Sequence, residues 1–324
     1  MIASEIAAVL KINSNFALSA HINPDGDSLG SMLALYNVLK AMGKNVKVFA
    51  GDSLPSNYSY LPGYDSIVNY SEDMDEEFDV FIVVDCGSFD RTGKCSCLSE
   101  KSKISINIDH HLTNSLFADY NLVDSNSSAA GELIYQIIKL MGVDIRKEEA
   151  LCLYTAIFSD TGGFRYSNTT SVTHQIAGDL INTGINFSNI YELIYRNYSL
   201  NDVKIMGKAL SSIELYSDAK IAYMELLLSD LGDLNLEDVN TSEFIDYARD
   251  INTVEVALFV KQVKADEYKL SFRSKNYVDV RKICEKYGGG GHAKAAGCTI
   301  TGELCDFRDA VIKDLQQALE DGGR

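Results

Sequence analysis

Five aspartates and three histidines fall in four short segments of this 324-residue chain: His21-Ile22-Asn23-Pro24-Asp25-Gly26-Asp27-Ser28, Val83-Val84-Asp85, Asp109-His110-His111 and Ser159-Asp160-Thr161-Gly162-Gly163. Carboxylate and imidazole donors without thiolate are the set that holds ions such as Mn²⁺ or Mg²⁺. A pair of such ions suits hydrolysis of a phosphate ester at neutral pH. In the first segment His21 and Asp25 can reach one ion while Asp27 turns toward a second, and Pro24 and Gly26 suit the tight backbone between them. Asp27 or Ser28 is expected to cap the helix that follows. Asp85 ends a very apolar strand, where a carboxylate is costly without a cation or hydrogen-bond donors. A bridging position between two ions gives it a reason; capping a neighbouring helix is the plainer alternative. Asp109 can accept a hydrogen bond from a histidine ring and fix its tautomer. Asp25, Asp27, Asp85 and Asp160 carry −4 and two divalent ions +4, so with neutral His21 and His110 the cluster is formally neutral. Two histidines make the set softer than magnesium usually receives, so two Mn²⁺ are the expected cofactors, with Mg²⁺ or another divalent cation as the alternative.

The elements that must position these residues alternate strand and helix. Short apolar runs mark buried parallel strands at Phe16–Ala20, Val46–Ala50, Val80–Val84 and Ile104–Ile108. Three of the four chemical segments therefore follow the carboxyl ends of strands, where open α/β sheets bind ligands. Asp160 follows the helical pattern Leu151, Leu153, Tyr154, Ile157, Phe158, and a further helix runs from about Val172 to Ile181. The stretch Ile190 to Leu215 reads as helical connector without strands, broken near Arg196-Asn197-Tyr198-Ser199. Beyond it the pattern gives strands at Ala219–Leu226, Val254–Val263 and Tyr268–Arg273, a helix from Val278 to Tyr287, a glycine-rich turn, a strand near Cys298–Thr301 and a closing helix from about Phe307 to Leu319. The expected architecture is α/β: an N-terminal parallel-sheet domain over residues 1–188, a helical linker over 189–216 and a smaller C-terminal α/β domain over 217–324.

Composition narrows the partners. Lys and Arg number 29 against 46 Asp and Glu, a net charge of −17. Binding of long nucleic acid leans on a basic face that this sequence does not display, so no long duplex partner is expected. No apolar run reaches the roughly 20 residues of a membrane helix, and no membrane partner is expected. The first residues, Met1 to Glu5, read as the start of a short helix and not as a signal peptide. Seven cysteines match no disulfide framework or zinc spacing, which points to free thiols in a reducing cytoplasm.

The four segments, in order, resemble the motifs of the DHH phosphoesterase family, named for the triplet present here as Asp109-His110-His111. His21 to Ser31 is very close to the family's first motif, and Val84-Asp85 and Ser159 to Arg165 are similar to the second and fourth. Gly288-Gly289-Gly290-Gly291-His292-Ala293-Lys294-Ala295-Ala296-Gly297 resembles the signature of the DHH-associated C-terminal domain. The resemblance covers nearly the whole chain. It implies that His21, Asp25 and Asp85 bind one Mn²⁺, that Asp27, Asp85, His110 and Asp160 bind the other, and that His111 faces the substrate phosphate, with Asp85, Asp109, His110 and His111 forming the catalytic set. It further implies an enzyme of the compact stand-alone group, which includes nanoRNases with pAp phosphatase activity and cyclic di-AMP or pApA phosphodiesterases. A homodimer through the N-terminal domain fits that group.

In the second domain, four glycines beside His292 let backbone amides approach an anion. Arg273, at a strand end, and Arg165, just past Asp160, are candidate phosphate clamps; each is otherwise an ordinary surface arginine. Gly289, Gly290, Gly291, His292, Arg165, Arg273 and His111 form the expected substrate-binding set. The leading expectation is a Mn²⁺-dependent phosphodiesterase that cuts short oligoribonucleotides or dinucleotides to mononucleotides, with pAp phosphatase activity as a further expectation and the C-terminal domain recognising the far end of the substrate. The alternatives are a cyclic di-AMP or pApA phosphodiesterase of nucleotide signalling, a non-catalytic nucleotide sensor, and a pyrophosphate or polyphosphate hydrolase. Intact ligands disfavour the sensor, and the glycine-histidine signature disfavours the last.

Overall fold

The computed structural model describes every residue except Met1, Glu72, Met74, Glu237, Asp238, Ser242, Gly323 and Arg324. Met1, assigned above to the first helix, lies outside the described residues. The chain divides into two compact units, Met1–Asn197 and Tyr198–Arg324.

The first unit runs α1 (Ile2–Ile12), β1 (Asn15–Ala20), α2 (Gly26–Ala41), β2 (Asn45–Ala50), β3 (Ile67–Asn69), β4 (Phe78–Val84), β5 (Ser102–Asp109), β6 (Tyr120–Val123), α3 (Ala130–Met141), α4 (Lys147–Asp160), α5 (Ser171–Ile181) and α6 (Phe187–Tyr195). Its sheet has the order β3-β2-β1-β4-β5-β6, and every pairing is parallel. The four strands read from apolar runs are β1, β2, β4 and β5, and they form the centre. The edges β3 and β6 have no such runs and were not anticipated. Alternate residues of β4 divide between two cores: Val80, Ile82 and Val84 pack with the helices, and Phe81 and Val83 pack on the opposite face with Phe49, Cys95 and Leu98. Burial on both faces is why these strands are continuously apolar.

The second unit runs α7 (Leu200–Ser211), β7 (Glu214–Tyr216), β8 (Ile221–Leu226), α8 (Leu228–Leu231), α9 (Phe244–Arg249), β9 (Val256–Lys264), β10 (Glu267–Ser274), α10 (Val280–Lys286), β11 (Gly290–His292), β12 (Ala295–Thr301) and α11 (Leu304–Gly322). The sheet order is β11-β12-β10-β9-β8-β7, antiparallel except between β8 and β9. The stretch Ile190–Leu215 differs from expectation: α6 belongs to the first unit and α7 to the second, and Leu215 lies in a strand, paired to Ala222. The glycine-rich turn is in part a hairpin, with Gly290–His292 paired to Ala295–Gly297. A short glycine strand has no side-chain alternation, so periodicity could not show it.

Candidate metal centre

The strand order places β1 beside β4 at the point where the sheet's winding reverses, the usual position of a ligand crevice in an open α/β sheet. The register pairs Ala20 with Val84, so the next residues, His21 and Asp85, stand side by side beyond the strand ends. Asp109 closes β5 one strand further on, followed by His110 and His111. Asp85 adopts a left-handed backbone (φ 54°), as does Asn23 (φ 54°). Such conformations persist where surrounding structure enforces them, commonly at functional sites.

Two helices bring the remaining carboxylates. Asp25 is the N-cap of α2: its Oδ1 accepts the Ser28 N–H at 3.0 Å, and its own N–H donates to Ser28 Oγ at 2.8 Å. This corrects the expectation that Asp27 or Ser28 caps the helix. Asp27 lies within the first turn and faces α3 instead, accepting the N–H groups of Ala130 (2.7 Å) and Gly131 (3.0 Å) and the Ser31 hydroxyl (2.9 Å). A carboxylate there satisfies orphan donors of a neighbouring helix. Asp160 is the last residue of α4. Glycines let α2 and α4 converge: a Cβ on Gly30 would lie 2.5 Å from the Cys152 carbonyl oxygen, and one on Gly26 would lie 2.5 Å from Ser159 Oγ.

The histidines are oriented by backbone. His21 Nδ1–H donates to the Ile22 carbonyl at 2.7 Å, and His110 Nδ1–H to the Ser127 carbonyl at 3.2 Å. A carbonyl only accepts, so in each neutral ring Nε2 carries the lone pair. His21 Nε2 lies 3.5 Å from Asp85 Oδ2 and 3.9 Å from Asp25 Oδ1. His110 Nε2 lies 3.6 Å from an oxygen of each of Asp27, Asp85 and Asp160. These separations are too long for hydrogen bonds. They match donors about 2.1 Å from a shared ion, which stand about 3–4 Å from one another. Three donor groups converge in this way: His21, Asp25 and Asp85; Asp27, His110 and Asp160; and Asp85, His110 and His111.

Electrostatics points the same way. Asp85 is buried, and among the described residues its Oδ1 has no hydrogen-bond partner. Burial, then the charges of Asp27, Asp25, Asp160 and Asp109, drives its carboxyl well above the usual range. Burial also raises Asp27 to about 6 and Asp160 to about 7, in each case against the pull of His110. Carboxylates crowded like this are tolerable as anions when cations sit among them. The residues therefore fit a divalent-metal centre on their own chemistry. Burial lowers the His21 pKa.

His111 differs. Its Nδ1–H donates to Asp109 Oδ1 at 2.7 Å, and this bond raises the imidazole's pKa. Burial pushes Asp109 up, but the hydrogen bonds with His111 and Asn114 outweigh it and hold the carboxyl below the usual range. Asn114 Nδ2 donates to Asp109 Oδ2 at 2.6 Å and to Asn107 Oδ1 at 2.8 Å.

Arg165 is exposed on the turn after Asp160, its Nε donating to the Gly162 carbonyl at 2.9 Å. Arg273, Gly289, Gly290, Gly291 and His292 lie in the second unit: Arg273 on β10, Gly289 just before β11, and Gly290 to His292 on β11 of the β11–β12 hairpin. Two of these glycines answer to packing: a Cβ on Gly289 would lie 2.3 Å from the Gly297 carbonyl oxygen, and one on Gly291 2.6 Å from that of Ala295. The sequence reading missed Asn114, Asn168 and Arg91. Asn168 Nδ2 bridges the carbonyls of Ser128 (3.0 Å) and Asp160 (3.1 Å). The Arg91 carbonyl accepts the Ile22 N–H at 2.8 Å, next to His21. The two asparagines act as donors from loops, and no pattern in sequence marks that role.

An α/β sheet with this donor set at its switch point defines a divalent-metal phosphoesterase. The chain belongs to the DHH family. The family model for the DHH N-terminal domain matches residues 15–157, and that for the DHHA1 domain matches residues 218–321. The chain is 30% identical over 97% of its length, and 97% of the relative's, to the probable bifunctional oligoribonuclease and PAP phosphatase NrnA of Streptococcus mutans. It is 29% identical to the bifunctional oligoribonuclease and PAP phosphatase NrnA of Thermus thermophilus, covering 98% of this chain and 94% of that one. The crystal structure of an exopolyphosphatase-related protein from Bacteroides fragilis superposes with a TM-score of 0.88 at 27% identity, covering 99% of this chain and 96% of that one. Among the described residues, no helix is long and apolar enough to cross a membrane.

Proposed function

We propose that this protein is a Mn²⁺-dependent phosphodiesterase that hydrolyses short oligoribonucleotides to mononucleotides and also removes phosphate from pAp. The observation that carries the reading is the buried Asp85 carboxylate among further carboxylates: its Oδ1, without a hydrogen-bond partner among the described residues, lies 3.6 Å from His110 Nε2, and its Oδ2 lies 3.5 Å from His21 Nε2. Similarity over nearly the full chain to relatives named for both activities supports the substrate class. His21, Asp25 and Asp85 would hold one ion, and Asp27, Asp85, His110 and Asp160 the second. Such ions, when bound, supply Lewis acidity toward the phosphoryl oxygens and make a coordinated water acidic enough to attack at neutral pH.

The chain's own residues do the rest. Asp85 would serve both ions, and the apolar strand that ends just before it fixes it in place. The Ile22 and Ser127 carbonyls hold the tautomers of His21 and His110, so that Nε2 of each points inward. Asp109 keeps His111 protonated at Nδ1, which directs the ring toward the substrate phosphate, and Asn114 holds Asp109. Arg165 contributes a cation beside the metal ligands, while Arg273, the glycine run and His292 bind the rest of the substrate. Seven free thiols suit a cytoplasmic enzyme.

The test is direct. With Mn²⁺ the purified protein releases mononucleotides from a five-nucleotide RNA and inorganic phosphate from pAp. EDTA stops both reactions, and so does Asp85→Asn. Undiminished activity in that variant would overturn the assignment of the centre.

A further inference from the structure

The loop that leaves β4 after Asp85 is tied to two histidine-bearing segments of the centre. On one side it is fastened to the loop that carries His111. Asn107 Nδ2 and Asn114 Nδ2 both donate to the Cys86 carbonyl at 3.2 Å, and the Gly87 carbonyl accepts the Ser115 N–H at 2.9 Å. A Cβ on Gly87 would lie 3.5 Å from His111 Cβ. The Phe89 ring packs on Phe117, with centroids 5.6 Å apart. On the other side the same loop is fastened next to His21. The Arg91 carbonyl accepts the Ile22 N–H at 2.8 Å, and the Arg91 N–H donates to the Ser88 carbonyl at 3.2 Å. Gly93 has a left-handed backbone (φ 61°), and a Cβ on it would lie 2.5 Å from Ile22 Cγ2, so the turn packs directly on Ile22.

Arg91 is thus held by its backbone while the residue stays exposed. Its charge is felt in the centre, where it works against protonation of His21, of His111 and of the Cys86 thiol. Such an influence falls off with distance and with intervening water, so the guanidinium stands on the side of the centre that these groups share. Five aspartates, Asp25, Asp27, Asp85, Asp109 and Asp160, belong to that centre, yet the Arg91 side chain makes no ion pair or hydrogen bond with any described residue. A structural arginine spends its five donors on protein acceptors. An ordinary surface arginine lacks partners too, but its charge does not register at two histidines of a metal centre.

The charge balance gives such a cation a task. Asp25, Asp27, Asp85 and Asp160 offset two divalent ions, which leaves the negative charge of a phosphoryl group under attack to the chain's own donors. We propose that Arg91 is a catalytic residue of this centre: together with His111, its guanidinium holds non-bridging oxygens of the reacting phosphate and stabilises the charge that builds on them as the ester bond breaks. The planar guanidinium fork matches two oxygens of one phosphate at once. The contact is to the reacting group and not to base or ribose, so it serves a phosphodiester of RNA and a phosphomonoester of pAp alike. This rests on the reading of the centre as acting on short RNA and pAp.

The experiment compares wild type with Arg91→Ala in the full chain loaded with Mn²⁺. Both are assayed on a five-nucleotide RNA and on pAp, with and without guanidinium chloride at concentrations too low to unfold the protein. Arg91 is exposed, so the variant keeps the fold; circular dichroism verifies this. In the variant kcat/KM falls about 100-fold on both substrates, the scale of losing one donor to a transition-state oxyanion, and added guanidinium recovers about tenfold of it while leaving the wild type unchanged. Activity within about threefold of wild type, a loss confined to one substrate, or a loss that guanidinium does not recover overturns the assignment. A second measurement titrates AMP into both Mn²⁺-loaded proteins by calorimetry, and the variant binds it about tenfold more weakly, as the loss of a charge-assisted hydrogen bond implies. If the wild type hydrolyses neither substrate, the reading of the centre fails, and the AMP titration alone judges Arg91: equal behaviour of the two proteins overturns the contact.

Discussion

Asp85 concentrates what the centre costs and what it does. A buried carboxylate oxygen without a partner destabilises the metal-free protein, so Asp85→Asn, which removes the charge and keeps the shape, should raise the melting temperature in EDTA, corresponding to about 1–3 kcal/mol. Mn²⁺ should raise the melting temperature of the wild type through preferential binding to the folded state, and the same substitution should abolish that rise. Thermal scans of both proteins with EDTA and with Mn²⁺ check the two effects together; a variant that melts lower than wild type in EDTA contradicts the first. Asn114→Ala is expected to act more gently. It frees one Asp109 oxygen and loosens His111, lowering kcat by about 10- to 100-fold, one hydrogen bond to a charged group being worth about 1.5–3 kcal/mol, while metal affinity stays near that of wild type. A steady-state assay with a metal titration separates these. At this scale the sequence was informative where residue type alone selects chemistry: His21, Asp25, Asp27, Asp85, His110 and Asp160 are brought together by the fold. It was silent on Asn114 and Asn168, which serve through one amide each and carry no spacing signal. It also misassigned the α2 cap, because Asp25 and Asp27 are equally good caps as residue types, and only the N-terminus of α3 beside Asp27 decides between them.

Among the elements, the convergence of α2 and α4 sets the distance between Asp27 and Asp160. Gly30 is where the two backbones come closest, since a Cβ there would meet a carbonyl oxygen that has nowhere to move. Gly30→Val should cost about 1–3 kcal/mol in urea unfolding and reduce Mn²⁺ affinity, whereas the same change at Gly207, where a Cβ meets nothing within 4 Å, should leave metal binding unchanged. In the second unit Glu255 is a buried carboxylate whose Oε1 accepts the N–H groups of Asn276 (3.0 Å), Tyr277 (2.8 Å) and Val278 (3.1 Å). Burial opposes its ionisation, but these donors prevail and its pKa falls below the ordinary 4.5. Its contribution is therefore fully present above about pH 4.5 and is lost as the pH drops through the folded-state value. Stability of wild type relative to Glu255→Gln should differ by about 1–2 kcal/mol at pH 7, and the gap should close in acid; a constant gap down to pH 3 would contradict this. The legibility of elements followed burial. β1, β2, β4 and β5 announce themselves because both faces are covered, and β9 and β10 because they alternate or run apolar. The strands β3, β6, β7 and β11 are three or four residues long, mostly exposed or half-buried, and leave too few residues for a period to emerge.

For the molecule as a whole, charge and topology carry the argument. Two units with their own hydrophobic cores divide the work: one builds a centre around crowded carboxylates, and the other presents a cationic strand face in an otherwise acidic chain. The net charge of −17 was read from composition as a bar to long nucleic acid, and the structure adds that three of the cations, Lys261, Lys269 and Arg273, share one face of the second unit's sheet. What composition could not give was their placement, because Lys261, Lys269 and Arg273 become neighbours through strand register. The account's central claim is that the metal centre acts on short oligoribonucleotides. The measurement that tests it most directly is kcat/KM of the Mn²⁺-loaded protein across pApA, a five-nucleotide RNA, a long RNA, pAp, cyclic di-AMP and pyrophosphate. The account predicts the highest values for pApA and the five-nucleotide RNA, measurable turnover of pAp, and values at least tenfold lower for the long RNA, cyclic di-AMP and pyrophosphate. Preference for the long RNA, for cyclic di-AMP or for pyrophosphate would contradict it.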